Sequence, residues 1–246
     1  MGIRIFTSEA HTLVPASEAY WAVKTDAMHR FSTEDWQQKY SSEVLALLPR
    51  GDALLDIGCG ACQITTYLAS AFKRVYAVDF SESMLAAAQQ RIDRFEIGNI
   101  CLLIGTAQAF PREITEVDAI LAHGVLQYFS INDLNKYLLE CRRVLRNDGI
   151  ICAAIIPDKT RKRLYYRTMV QSASIAGNLR KEISFLRRRA AAYAKNNVFW
   201  DGIGNWFSKG DIAAAATRTG FEVEFRNAWF YDYRFHALLR PKANHS

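Results

Sequence analysis

Apolar positions cluster in two ways along this chain. Five short, nearly unbroken apolar runs lie at 53–57, 74–78, 100–104, 118–122 and 150–156. Each has the length of a strand buried on both faces. The segments between them carry helical spacing instead. Trp36, Tyr40, Val44 and Leu47 fall on one helical face in a segment that begins near Ser32 and is stopped by Pro49 and Gly51. A helix is expected after the turn Gly58-Cys59-Gly60, through about Ser70. Another, capped by Ser81, is expected to run to about Arg94. Asn132 is expected to cap a helix with Leu134, Tyr137, Leu138, Cys141, Val144 and Leu145 on its apolar face. Asn147-Asp148-Gly149 then turns the chain into the fifth strand. Strands alternating with helices predict a mostly parallel sheet covered on both sides. No solenoid or propeller period is present.

The alternation stops after Pro157. Residues 158–198 read as helical and basic, with Leu179, Ile183, Leu186, Ala190 and Tyr193 on one stripe. Ser208-x-x-Asp211 has the form of a capping box and opens a helix ending at Gly220. Two aromatic-rich strands follow, 221–227 and 231–239, with an antiparallel edge expected. Alternation in the last one places Tyr231, Tyr233, Phe235 and Ala237 on one face. Asp232, Arg234, His236 and Leu238 fall on the other, so His236 reads as a structural or surface residue. The organisation predicted is an N-terminal arm or lid (1–33), a core (34–157), a basic helical insertion (158–206), and a final helix and strand pair completing the sheet (207–246).

Composition narrows the class. Half of the 246 residues are hydrophobic and 23% are charged, which excludes a disordered chain. The longest apolar run, Ile150–Ile156, falls far short of the ~20 residues of a membrane span. The first residues show no secretory pattern, and five cysteines, sparse and odd in number, do not read as a disulfide framework, so a cytoplasmic setting is expected. Cys59 and Cys62 have CxxC spacing but no second Cys/His pair nearby, so no metal is expected; Cys101, Cys141 and Cys152 are expected in the core. The formal charge is +6, and residues 158–195 alone carry eleven Lys/Arg against two acids, leaving −3 on the rest. The basic excess therefore belongs to one segment.

The chemistry centres on LLDIGCG, Leu54–Gly60. A buried strand delivers Asp56 near its carboxyl end, the glycines allow close approach of a ligand, and a following helix N-terminus favours an anionic group. Asp79 ends the second strand nineteen residues after Gly60, where a carboxylate can accept from ribose hydroxyls. A nicotinamide cofactor fits poorly: the third glycine of its fingerprint is replaced by Gln63, and Asp56 would face a pyrophosphate. S-adenosylmethionine carries adenosine without phosphate, and its ammonium and sulfonium suit a carboxylate.

With LLDIGCG (54–60), YAVDFSESML (76–85), GTAQAFP (105–111), DAILAHGVLQYF (118–129) and RVLRNDGIICAAII (143–156) in order, the sequence resembles the class I S-adenosylmethionine-dependent methyltransferase family over about 34–157. The resemblance implies a doubly wound, seven-stranded, Rossmann-like methyltransferase fold with the last strand inserted antiparallel between the fifth and sixth, and the insertion as a helical cap. It implies that Gly58, Cys59 and Gly60 pass under the methionine part of the cofactor, with Asp56 at that end. Asp79 would bind the ribose, Phe80 and Met84 the adenine face, and Thr106 and Ala107 the adenine edge. His123, Gly124 and Val125 would run past the cofactor toward the acceptor. Cys62 and Thr106 depart from the family's common glycine and acid. The expected activity is methyl transfer to a small-molecule acceptor, with oxygen preferred and His123 as candidate base. Tyr20, Trp21, Tyr128, Tyr165, Trp200 and Trp206 are candidate pocket residues. The basic segment suits an acceptor bearing phosphate or carboxylate. The alternatives are an RNA methyltransferase using residues 158–198 as a phosphate track, and a non-catalytic S-adenosylmethionine-binding regulator.

Overall fold

The structure, a computed structural model, describes residues 33–165 and 203–243. In these the chain forms α1 (Glu34–Leu45), β1 (Gly51–Ile57), α2 (Thr65–Leu68), β2 (Phe72–Asp79), α3 (Glu82–Arg94), β3 (Ile100–Ile104) and β4 (Val117–His123). It continues with α4 (Ile131–Val144), β5 (Leu145–Pro157), α5 (Lys209–Arg218), β6 (Phe221–Asn227) and β7 (Arg234–Pro241). The seven strands form one sheet in the order β3-β2-β1-β4-β5-β7-β6. The first five pair in parallel, and β7 pairs antiparallel with both β5 and β6. The expected fold and the inserted last strand are thus both observed.

Alternate strand residues explain the layers. Leu55, Ile57, Ile120 and Ile151 pack under Leu134, Tyr137, Leu138 and Cys141 of α4 and Ile212 and Ala215 of α5. Their neighbours Leu54, Val75, Leu121 and Cys152 meet Tyr40 and Val44 of α1 and Leu68 of α2 on the other side. Leu85, Ala88 and Ile92 of α3 cover Ala77 and Leu102 on that second side. Each leucine buried this way stabilises the fold by about 2 kcal/mol. At the amino edge, Asp118 Oδ2 accepts from the amides of Asp52 and Ala53, both at 2.7 Å, and so fixes the start of β1 against β4.

Several local expectations are corrected. The helix after the glycine turn is a single α turn, Thr65–Leu68, continued by a 3-10 turn to Ala71. Asn132 does not cap α4; Ser130 does, with Asp133 completing a capping box. Asn147-Asp148-Gly149 is not a separate turn, because β5 starts directly after α4 at Leu145 and bulges against β4. Trp36 faces solvent at 41% exposure, and Cys101 is exposed rather than in the core. Ser81 caps α3 and the Ser208–Asp211 box opens α5 as expected. The N-terminal arm and residues 166–202 of the insertion lie outside the described residues. No helix among the described residues is long and apolar enough to cross a membrane.

Candidate functional site

The carboxyl ends of β1 to β4 bring the expected residues to one edge. Asp56 and Ile57 lead into Gly58, Cys59 and Gly60. The amides of Gly58 and Cys59 donate to the Val78 carbonyl of β2, at 2.8 and 3.1 Å. Asp79 closes the turn from the neighbouring strand: its Oδ2 accepts from the Gly60 amide and its Oδ1 from the Ser81 amide, each at 2.9 Å. Gly58 and Gly60 both adopt positive φ, +67 and +54. A Cβ at Gly58 would strike Val125 Cγ2 at 2.6 Å, so the turn packs directly on the β4 loop. A Cβ at Gly60 would meet nothing within 4 Å among the described residues, which leave open space above the turn. Cys62 is fully buried and itself lies at φ +54, so a thiol occupies a left-handed position that favours glycine.

Asp56 is buried, and Thr65 Oγ1 donates to its Oδ2 at 2.6 Å. Burial raises its pKa from 3.8 to about 7; the Thr65 hydrogen bond opposes this and the charge of Asp79 adds to it. Asp79 is raised too, chiefly by burial, against the backbone amides that hold it. The pair is thus primed for cationic or hydroxyl donors, which would offset the burial of both carboxylates. Gln63 Oε1 is buried with no hydrogen-bond partner among the described residues, a further acceptor beside the turn. Next to Asp79, β3 ends in a tight turn in which the Ala109 amide donates to the Thr106 carbonyl at 3.3 Å. Met84 is buried in the first turn of α3, and Phe80 is partly exposed where β2 meets it.

His123 ends β4 and is partly exposed. Its pKa is lowered to about 3, first by desolvation and then by the neighbouring His236 and Arg234. Its ring lies 6.0 Å from that of Tyr40. From there a row of aromatic contacts runs through Tyr231, Tyr233 and Tyr165 to Trp206, with centroids 5.0 to 5.9 Å apart. Lys162 Nζ sits 5.4 Å from the Trp206 ring. Tyr165 and Trp206 are therefore brought together, and Tyr128 lies on the 3-10 turn that follows Val125. Tyr20, Trp21 and Trp200 lie outside the described residues.

Sequence reasoning missed Glu43, Gln127 and Arg234. Glu43 is only 1% exposed and its Oε1 lies 2.7 Å from Nε2 of the equally buried His236. His236 is accordingly structural and not a surface residue. The available signal was a charge at helical spacing from Tyr40 and Leu47, on the face of α1 expected to be buried.

The sheet order and the carboxylate-clasped glycine turn define a Rossmann-like methyltransferase fold. Residues 55–153 match the family described as "Methyltransferase domain". Phosphoethanolamine N-methyltransferase 1 of Caenorhabditis elegans is 29% identical over 126 residues, 50% of this chain and 26% of that protein. Malonyl-(acyl-carrier protein) O-methyltransferase of Bacillus anthracis is 27% identical over 170 residues, 66% of this chain and 59% of that protein. The chain thus spans less than two thirds of either relative. Among solved structures, an S-adenosylmethionine-dependent methyltransferase from Clostridium acetobutylicum superposes with TM-score 0.60 at 13% identity, covering 92% of this chain and 99% of that one, and shows the shared fold. Residues 55–153 thus resemble a methyltransferase domain, set in a fold shared with S-adenosylmethionine-dependent methyltransferases.

Proposed function

We propose that the protein transfers a methyl group from S-adenosylmethionine to a small-molecule acceptor. The observation that carries this reading is the Gly58–Gly60 turn clasped by Asp79, with open space above Gly60 and the buried Asp56 behind it. Asp79 would take the ribose hydroxyls, Phe80 and Met84 the adenine face, and Thr106 and Ala107 its edge. Asp56 and Gln63 supply acceptors toward the methionine end. The bound cofactor supplies an electrophilic methyl on a sulfonium sulfur.

On this reading the chain's own residues work mainly by holding the acceptor in line, which alone can supply much of the rate. His123, Gly124 and Val125 form the acceptor side. A histidine with a pKa near 3 is neutral at physiological pH and accepts a hydrogen bond from an acceptor hydroxyl, yet holds a transferred proton poorly. His123 is therefore assigned to orienting an oxygen nucleophile. The O-methyltransferase named above supports an oxygen acceptor, while the N-methyltransferase relative leaves nitrogen as the alternative. The aromatic row ending at Trp206, with Lys162 beside it, suits an acceptor that pairs an apolar body with an anionic group.

Titration calorimetry with S-adenosylmethionine tests the cofactor assignment, and absence of heat at about millimolar ligand would refute it. An acceptor screen coupled to detection of S-adenosylhomocysteine tests the transfer. Turnover confined to RNA substrates would replace the small-molecule reading with a nucleic-acid one, and binding without turnover of any acceptor would favour a regulator.

A further inference from the structure

The carboxyl end of β5 carries an unusual backbone. Ile155, a β-branched residue, lies at φ +52, within a register shift of β5 against β7 between Ala153 and Ile156. Side chains of β7 take both of its backbone groups. The Ile155 amide donates to His236 Nδ1 at 3.2 Å, and Arg234 Nη1 donates to the Ile155 carbonyl at 2.7 Å. An amide can only donate, so Nδ1 is the acceptor nitrogen. Nε2 of the neutral ring then carries the proton and donates to Glu43 Oε1 at 2.7 Å. Glu43 also accepts from the Trp229 amide, so its own orientation is fixed by the chain that precedes β7.

The bulge reaches the site through three contacts. The Gly124 amide donates to the Ala154 carbonyl at 3.1 Å. Ile155 Cδ1 lies 3.3 Å from the place a Cβ on Gly124 would occupy. Gln127 Nε2 donates to the Gly124 carbonyl at 2.7 Å while its Oε1 accepts from Arg234 Nη2 at 3.3 Å. Val125, the next residue, is the one that packs on Gly58. A buried pair from α1 and β7 is thereby connected to both walls of the cleft.

We propose that Glu43 and His236 are positioning residues: the Glu43–His236 pair fixes the imidazole with Nδ1 toward Ile155, holds the left-handed bulge, and so sets the Gly124–Val125 turn against the glycine turn. The inference rests on the cofactor reading above only for its consequence at the site; the clamp itself is testable without cofactor. A carboxylate on Nε2–H locks the tautomer, as it does for histidines that must present a defined nitrogen. A left-handed β-branched residue persists only where its surroundings over-determine it, and here two side chains hold its amide and carbonyl.

The experiment compares wild type with Glu43→Leu, His236→Asn and His236→Leu. In wild type without cofactor, nitrogen-15 NMR of the histidine rings should show His236 protonated on Nε2 and bare on Nδ1; the reverse tautomer overturns the proposal. Asparagine can still accept from the Ile155 amide, whereas leucine cannot. Amide exchange at Gly124 and Ile155 should therefore quicken by about tenfold or more in His236→Leu and stay within about threefold of wild type in His236→Asn. S-adenosylhomocysteine affinity, by calorimetry, should fall about tenfold in the leucine variant alone. Equal behaviour of Asn and Leu, or unchanged exchange in both, would overturn the clamp. If His236→Leu does not fold, Glu43→Leu decides, because it deletes the acceptor for Nε2–H: loss of the tautomer lock should shift the Ile155 amide resonance, and an unmoved resonance refutes it. A wild-type protein that binds no S-adenosylhomocysteine would refute the cofactor reading and leave the tautomer and exchange results to judge the clamp.

Discussion

Replacing Asp56 with asparagine should make the protein more stable at neutral and alkaline pH. The carboxylate is buried and its folded pKa lies near 7 against 3.8 when free. The folded state therefore binds a proton that the unfolded state has lost between these values. By linkage this contribution is fully present below pH 3.8 and disappears as pH rises through about 7. The gap corresponds to on the order of 4 kcal/mol at most. His123 has the opposite sign: its folded pKa is depressed from 6.5 to about 3, so its contribution is present above 6.5 and is lost as pH falls. The two slopes oppose each other over the shared window, and the wild-type profile alone would look nearly flat. The difference between Asp56→Asn and wild type isolates the carboxylate, since asparagine keeps an acceptor for Thr65 Oγ1. Urea unfolding from about pH 4 to pH 8 should show that difference growing with pH, in favour of the variant, by roughly 2 to 4 kcal/mol. Two parallel profiles would refute the burial argument for Asp56.

Asp79→Ala should weaken S-adenosylmethionine binding by roughly 2 kcal/mol or more, because it removes charged hydrogen bonds and frees the Gly60 amide; calorimetry showing unchanged affinity would contradict the ribose assignment. Gly60→Ala should cost about 1 kcal/mol of stability from its positive φ, yet lower cofactor affinity by about tenfold or more, since the methyl projects into the open space over the turn. A variant that binds normally would remove the cofactor from that space. Ser208→Ala breaks the capping box of α5 and should lower stability by about 1 kcal/mol in urea unfolding without altering cofactor affinity.

Much of the frame was legible because its signals are local. Near-continuous apolar runs mark strands buried on both faces, and Ser81 and Ser208-x-x-Asp211 mark helix starts by the hydrogen bonds they make within one turn. The same logic applied to Ser130-x-x-Asp133 would have corrected the Asn132 cap. The place of Asp79 at the end of β2, beside the glycine turn, was readable from the strand pattern. The features that escaped depend on partners distant in sequence. Glu43 and His236 are 193 residues apart, and no periodicity announces that two polar side chains will share one buried site. The left-handed Ile155 likewise follows from β7 wedging beside β5, since isoleucine on its own favours ordinary strand geometry. Trp36 sits on the right helical face and packs on Tyr40 and Phe230, but near the start of α1 it stays 41% exposed.

The strand order ends at β6, whose Glu222, Glu224 and Arg226 point outward while Val223 and Phe225 are partly covered. That fringe of charge interrupts what would otherwise be a template for another β-strand to add on. Exchanging Glu222 and Glu224 for valine would leave the interior untouched and yet invite edge-to-edge strand pairing between molecules. The rim's acids thus guard solubility at a place where they contribute little to folding.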